Sequence, residues 1–308
     1  MKRWWTYQAE RFPLAAHGPL IAAFSFCAVA YSANLRAAGS WPSLRSFLVA
    51  FATSLIFFFQ LRVADEHKDF EEDSRWRPYR PVPRGLVTLK ELAALFAVGC
   101  AIQLGLALWH KPGLVLWLCV TWTWLAAMSK EFWVKDWLKA RPVVYLWSHM
   151  VIMPLIDFYA TSCDWTLHQP LPPRGLEFFL LASLCNGVVI ELGRKIRAPE
   201  GEEEGVETYS ALWGPRKAAT FWLVMVLATA VFGTLAGLRT RAPLAIGIVL
   251  GAAFLIRMLL ALRYVASPLP GRAKAIEVGS GLWTLTLYLS LGLLPHAHRW
   301  LAPLGLAR

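Results

Sequence analysis

Apolar stretches of about 20 residues, the length that crosses a bilayer core, recur along the whole chain with short polar segments between them. They fall at roughly 17–38, 43–63, 89–109, 113–129, 141–160, 175–192, 217–238, 243–263 and 276–295, and predict nine transmembrane helices in one integral domain over residues 1–308. The fourth is short and rich in Trp; the fifth carries His149 and Asp157 and is the least apolar, so its ends are the least defined. The first is preceded by an amphipathic start, MKRWWTYQAERFPL, rather than by a short apolar core with a small-residue cleavage site. That argues against a removable signal peptide.

Composition agrees with this pattern. At 57% hydrophobic and 17% charged residues, with 16 Trp and 17 Phe, the chain is far more apolar than a soluble domain. Charge placement adds an orientation, because cytoplasmic loops collect Lys and Arg. With nine spans and the N-terminus inside, 23 of the 31 Lys and Arg fall on the cytoplasmic side. The expectation is a multi-pass protein of a bacterial inner membrane, with a cytoplasmic N-terminus and the C-terminus outside. The net charge of +11 is then a topology signal, with anionic lipid headgroups as its natural contact. Positive charges dispersed between membrane spans do not make a nucleic-acid surface, so no nucleic-acid partner is expected. The five cysteines lie mostly within apolar runs without CxxC spacing, as small buried residues do; Cys163 is the one compatible with a disulfide or a zinc site.

The acids are as unevenly placed as the bases. Of 20 Asp and Glu, six lie between Asp65 and Asp73 and six between Glu191 and Glu207. The first block, LRVADEHKDFEEDSRWRPYRPVPRGLV, follows directly on the apolar run FLVAFATSLIFFFQ. Asp65, Asp69 and Asp73 stand at i, i+4 and i+8, which on a helix gives one face and a rise of about 12 Å. That is too long for one small ion but suits carboxylates sharing two. Arg75, Arg77, Arg80 and Arg84 follow, with planar forks suited to phosphate oxygens, on a segment that Pro78, Pro81, Pro83 and Gly85 keep from continuing as helix. An acid ladder beside an arginine cluster points to a diphosphate held through Mg²⁺. The plainer alternative is a loop whose acids and bases neutralise one another.

The second block runs from Asn186 to Gly214, NGVVIELGRKIRAPEGEEEGVETYSALWG. Glu191, Arg194 and Lys195 leave the sixth span on one face at i, i+3 and i+4. Glu191 followed by Lys195 has the favoured order for an ordinary helical ion pair worth about 0.3–0.5 kcal/mol, and a glutamate run in a loop is usually a solvated face. Its expected position on the same membrane face as the first block favours function.

Together these residues resemble the UbiA superfamily of intramembrane prenyltransferases. The family's N-D-x-x-D-x-x-x-D and R-P-x-x-x-G pattern is matched by Asp65-Glu66-x-x-Asp69-x-x-x-Asp73 and Arg80-Pro81-x-x-x-Gly85, with oxygen ligands kept where Asp65 and Glu66 replace Asn and Asp. Glu191, Arg194, Gly205, Thr208 and Gly214 follow the order and spacing of its second motif. Lys130 resembles the family's basic residue after the fourth span. The resemblance implies nine transmembrane helices around a central cavity open to lipid, capped by cytoplasmic loops. It implies Mg²⁺ on Asp65, Asp69, Asp73 and Glu191, and diphosphate contacts from Arg77, Arg80, Arg84, Lys130, Arg194 and Lys195. The implied partners are an isoprenyl diphosphate, a hydrophobic acceptor such as an aromatic ring, and membrane lipid.

Two departures bear on mechanism. Lys195 stands where the family places an aspartate, and the stretch from Lys195 to Gly205 is about two residues longer than the family's. Glu200, Glu202, Glu203 or Glu204 could return the missing carboxylate, or Lys195 could contact the diphosphate itself. Three functions follow: transfer of an isoprenyl group to a lipid-soluble acceptor, cyclisation of the isoprenyl cation, or a non-catalytic permease that kept the fold. His149 and Asp157 read as a buried hydrogen-bonded pair, with acceptor positioning as the other option. Trp117 reads as part of an interfacial belt, and Trp122 and Trp124 as belt or tunnel lining. Prenyl chain length, acceptor identity and oligomeric state have no sequence signal.

Overall fold

The computed structural model describes residues 2–37 and 40–297; the C-terminal residues 298–308, expected outside the membrane, lie outside this set. Fourteen α-helices and no strand occur among the described residues. A short N-terminal helix α1 (Lys2–Arg11) precedes α2 (Leu14–Arg36) and α3 (Leu44–Lys68). A brief α4 (Phe70–Trp76) leads to α5 (Leu89–His110) and α6 (Leu114–Ser129). Then come α7 (Lys135–Lys139), α8 (Pro142–Met150), α9 (Ile152–Trp165) and α10 (Leu176–Arg194). The chain continues through α11 (Tyr209–Trp213), α12 (Pro215–Gly237), α13 (Pro243–Ala266) and α14 (Pro270–Leu293).

Among the described residues eight segments are long and apolar enough to cross a membrane, α8 and α9 counting as one; α6, at 16 residues, is the shorter ninth. The nine expected spans therefore coincide with eight long helical segments and one short one. The ends differ most at α14, which begins six residues before the expected 276, and at α3, which stays helical through the charged tail to Lys68. The interruption between α8 and α9 has a local cause: Pro154 has no N–H for the Met150 carbonyl and crowds it, so the helix loosens one turn upstream at Val151. Four helices, α8, α12, α13 and α14, begin with proline, where a missing N–H costs nothing. α5 opens with a capping box, Thr88 Oγ1 accepting from the Glu91 N–H at 3.2 Å and the Thr88 N–H donating to Glu91 Oε2 at 2.9 Å.

The chain forms two compact units, Met1–Phe26 with Ser43–Gln169 and Cys27–Pro42 with Pro170–Arg308. In the first, α3 packs against α5 and α9, and α6 against α9. Buried amides tie these apolar helices together: Gln103 Nε2 donates to the Thr53 carbonyl at 3.1 Å, and Trp122 Nε1 donates to Gln103 Oε1 at 2.9 Å. Trp117 is half-buried against Phe158 and Trp165, and Trp124 donates to the Ser148 carbonyl at 3.1 Å. Cys163 is a buried free thiol within α9.

In the second unit α10, α12, α13 and α14 pack on one another. Gly193 is where α10 meets α14, since a Cβ there would stand 2.1 Å from Ser280 Oγ. That close approach, with Thr284 donating to Asn186 Oδ1 at 3.1 Å, fixes the end of α10 that carries Glu191. Burial separates interior from peripheral helices: α10 buries 61% of its apolar window, α5 only 22% and α13 28%. Leu255, Ile256, Leu259 and Leu262 on α13 and Val98, Ile102 and Leu108 on α5 are exposed, the pattern expected of lipid-facing surfaces.

Candidate functional site

The aspartate ladder does not run along one helix. α3 ends at Lys68, Asp69 leaves helical geometry (φ −94°, ψ 5°), and α4 resumes at Phe70. The joint is shallow, for the Asp69 N–H still donates to the Asp65 carbonyl and the Asp73 N–H to the Asp69 carbonyl, both at 2.8 Å. α4 then stops at Arg77, because the residue before Pro78 is pushed out of the helical region; Arg77 has φ −136°. Tight turns through Pro81 to Gly85 follow, with Gly85 at φ +76°, a conformation side chains resist.

The three aspartates have unlike surroundings. Asp65 lies 3.5 Å from Arg62. Asp73 is buried at 1% exposure and held by two guanidinium groups, Arg77 Nε at 3.1 Å and Arg80 Nη1 at 2.5 Å. Asp69, at the joint, receives no side-chain hydrogen bond or ion pair from the described residues. Burial raises its pKa above the ordinary carboxylate value, and the charges of Asp65, Asp73 and Glu72 add to this against the lowering effect of Lys68. Glu66 turns away from the ladder to Arg11 of α1, Nε to Oε1 at 2.5 Å. Arg84 reaches Glu10 of α1 at 2.8 Å, and Arg3 reaches Glu91 of α5 at 2.5 Å, so α1 is pinned to the first block by two ion pairs and to α5 by a third.

In the second block the ion pairs are local. Glu191 is held by Arg194 at 2.8 Å and Lys195 at 3.0 Å. Beyond it the chain folds back: the Tyr209 N–H donates to the Lys195 carbonyl at 3.0 Å, and the Arg197 N–H to Ser210 Oγ at 2.7 Å. Thr208 caps α11, accepting from the Ala211 N–H at 3.1 Å, and its hydroxyl donates to Glu202 at 2.6 Å. Glu203 pairs with Arg197 at 2.8 Å, while Glu200 and Glu204 are exposed. Of the four glutamates considered as replacements for the missing aspartate, two are thus occupied within their own loop and two face solvent.

One cluster had no counterpart in the sequence reading. Lys130 is exposed, but its neighbour Glu131 is buried at 4% exposure. The Glu131 carboxylate meets Lys68 Nζ at 3.1 Å, His149 Nε2 at 3.3 Å and the Tyr145 hydroxyl at 3.3 Å, while Lys68 Nζ donates to that hydroxyl at 2.5 Å. Burial alone would raise the Glu131 pKa, yet His149 and Lys68 together hold it down to about 2. His149 therefore pairs with Glu131 rather than with Asp157, and its ring stacks on Tyr145 with centroids 4.0 Å apart. The backbone beneath is unusual: Glu131, Phe132 and Trp133 have φ of +50°, +52° and +58°. Left-handed conformations cost non-glycine residues about 1–2 kcal/mol each and persist only where surroundings enforce them. Here Phe132 packs edge-on against Trp124 and His149. The only forewarning in the sequence was a lysine inside the acid ladder.

Among the described residues no three His, Cys, Asp or Glu groups converge as a preformed metal cage. Mg²⁺ does not need one, since it is commonly held by one or two carboxylates together with phosphate oxygens and water. Asp69, free of side-chain partners and crowded by like charges, fits that manner of binding.

The family comparison bears on the same residues. A model described as the UbiA prenyltransferase family matches residues 23–274, which include both acidic blocks. The chain belongs to the UbiA prenyltransferase family. Among curated proteins, this UbiA family chain is 25% identical over 203 residues to diterpene cyclase eriG of Hericium erinaceus, a match spanning 65% of the chain and 62% of the cyclase. Its fold is that of solved UbiA homologues. A structure reported for digeranylgeranylglyceryl phosphate synthase superposes with a TM-score of 0.65 at 15% identity, covering 96% of this chain and all of that one. The apo structure of a UbiA homologue from Aeropyrum pernix K1 gives 0.66 at 16% identity over 89% of this chain and 95% of that one.

Proposed function

We propose that this UbiA family protein ionises an isoprenyl diphosphate with the help of Mg²⁺ and transfers the isoprenyl group to a lipid-soluble acceptor, such as an aromatic ring, within the membrane. The observation that carries this reading is Asp69, a half-buried carboxylate with no side-chain partner among the described residues, flanked by like charges on a segment rich in phosphate-type arginines. Bound Mg²⁺ would neutralise charge developing on the departing diphosphate. Asp69 and Asp65 are its proposed first ligands, with Asp73 joining when Arg77 and Arg80 exchange their carboxylate for phosphate oxygens. Such an exchange suits guanidinium groups, whose planar forks fit carboxylate and phosphate alike. Glu191, Arg194 and Lys195 are proposed to act in the same way, the carboxylate toward metal and the two cations toward phosphate. We assign Arg84 and Lys130 supporting diphosphate contacts on the family resemblance. The chain is proposed to sit in a bacterial inner membrane with its N-terminus in the cytoplasm, as the Lys and Arg distribution suggests.

A second reading is favoured by the diterpene cyclase relative: the same ionisation followed by closure of the allylic cation on its own double bonds. Incubating the purified protein with labelled isoprenyl diphosphates of increasing length and Mg²⁺, with and without aromatic acceptors, separates the two. A conjugate formed only with acceptor supports transfer. A cyclic hydrocarbon formed without one supports cyclisation, and absence of diphosphate release at every chain length overturns both.

A further inference from the structure

Loops joining apolar helices ordinarily avoid left-handed backbone at Glu, Phe and Trp, and three such residues in succession need something to hold them. In this chain what holds them is the interaction of Glu131 with Lys68, Tyr145 and His149. We propose that Glu131 is a positioning residue: through the left-handed turn 131–133 it fixes the Lys68 ammonium beside Asp69 as a cation for the donor's diphosphate. This rests on the diphosphate reading given above and names a residue pair that the sequence motifs do not contain.

The geometry supports it in three ways. An ammonium has three N–H donors; Lys68 directs them at Glu131 and the Tyr145 hydroxyl, leaving one without an acceptor among the described residues. Lys68 immediately precedes Asp69, and its charge is felt there. Both Lys68 and Tyr145 meet Glu131 Oε1, and His149 Nε2 lies 3.3 Å from Oε2 on the other side. His149 is steadied in turn, its Nδ1 lying 2.9 Å from the Tyr145 carbonyl and its ring between those of Tyr145 and Phe132. Lys130, next along the chain, is exposed and has no ion pair among the described residues. The loop after α6 thus contributes its acid to the interior and leaves its base at the surface.

The test uses the full-length protein in lipid nanodiscs, with inorganic pyrophosphate plus Mg²⁺ as the probe and calorimetry as the readout, beside steady-state kinetics. Lys68→Met is expected to weaken pyrophosphate binding by about 10-fold or more, the worth of a charge-assisted hydrogen bond. Glu131→Gln keeps the lysine but loosens it, and is expected to raise KM for the donor about 5-fold with a smaller change in kcat. The exchanged pair Lys68→Glu with Glu131→Lys retains a buried ion pair and therefore the thermal midpoint, yet is expected to lose pyrophosphate binding. A purely structural ion pair would be rescued by that exchange, so wild-type pyrophosphate affinity in the exchanged pair, or in a folded Lys68→Met, overturns the proposal. Asp69→Asn separates this from the broader reading. If wild type binds pyrophosphate and Asp69→Asn does not, while Lys68→Met matches wild type, only the Lys68 assignment falls; if wild type binds none, the diphosphate reading falls with it.

Discussion

At the end of α3 the charged side chains find partners far along the sequence: Glu66 with Arg11, Arg84 with Glu10, Lys68 with Glu131 and Tyr145. At the end of α10 they find them within a turn, Glu191 with Arg194 and Lys195, and Arg197 with Glu203 six residues on. The first block is therefore a tertiary structure, in which buried charges hold α1, α3, the loop after α6 and α8 in register. The second is local and largely solvated, a helix end with its own ion pairs. The same kind of sequence signal, a dense run of acids and bases, leads to rigid preorganisation in one case and to an adjustable surface in the other.

The largest expected effect is at the position that sets the first block apart. Asp69→Asn removes the partner-free carboxylate and is expected to lower kcat by at least about 100-fold, as loss of a metal ligand's electrostatic contribution would, without lowering the thermal midpoint. Activity within a few-fold of wild type would show that the ladder does not hold the metal. Next is Arg80→Ala, which strips one guanidinium from a carboxylate buried at 1% exposure and should destabilise the protein by about 3 kcal/mol. A loss below about 1 kcal/mol would mean that the first block tolerates rearrangement as readily as the second.

Acid should act on the first block as well. Glu131, held down to about 2 in the folded protein against an ordinary 4.5, contributes stability that is present above 4.5 and lost as pH falls toward 2. Glu131→Gln should flatten the thermal midpoint across that window, and a parallel profile in the variant would contradict the assignment. The smallest effect on folding is expected from Lys195→Asp, which replaces attraction by repulsion on a partly exposed helix end and should cost about 0.5 kcal/mol. Its effect on turnover decides the second block's role: a gain marks Lys195 as a modulator, and a large loss marks it as a diphosphate contact.

How much of this could be read beforehand follows the same division. The span expected at 89–109 is Leu89–His110, and the one at 113–129 is Leu114–Ser129, because apolar length is dictated by the bilayer and Thr88 and Gly113 mark the starts. The span expected at 276–295 begins earlier, at Pro270, since Arg272 and Lys274 are tolerated in the opening turns, where they interrupt the apolar run. Glu191 with Lys195 was legible as an ion pair, because i and i+4 on a helix must meet. Lys68 with Glu131 was not, because 63 residues separate them and a left-handed turn of Glu, Phe and Trp has no compositional mark. The joint at Asp69 was hidden for a related reason: the i, i+4 spacing survives it, so the sequence looks like one helix.

The ion pairs that pin α1 also impose an order of events on synthesis. Its ten residues are made before Glu66, Arg84 and Glu91, to which Arg11, Glu10 and Arg3 are joined, with α2 and most of α3 coming between them. Until then the helix has no partners, and Trp5, 74% exposed even in the finished protein, gives it an affinity for the membrane surface. Assembly of the first block thus follows the synthesis of α2 and α3 and closes over a helix made before either of them.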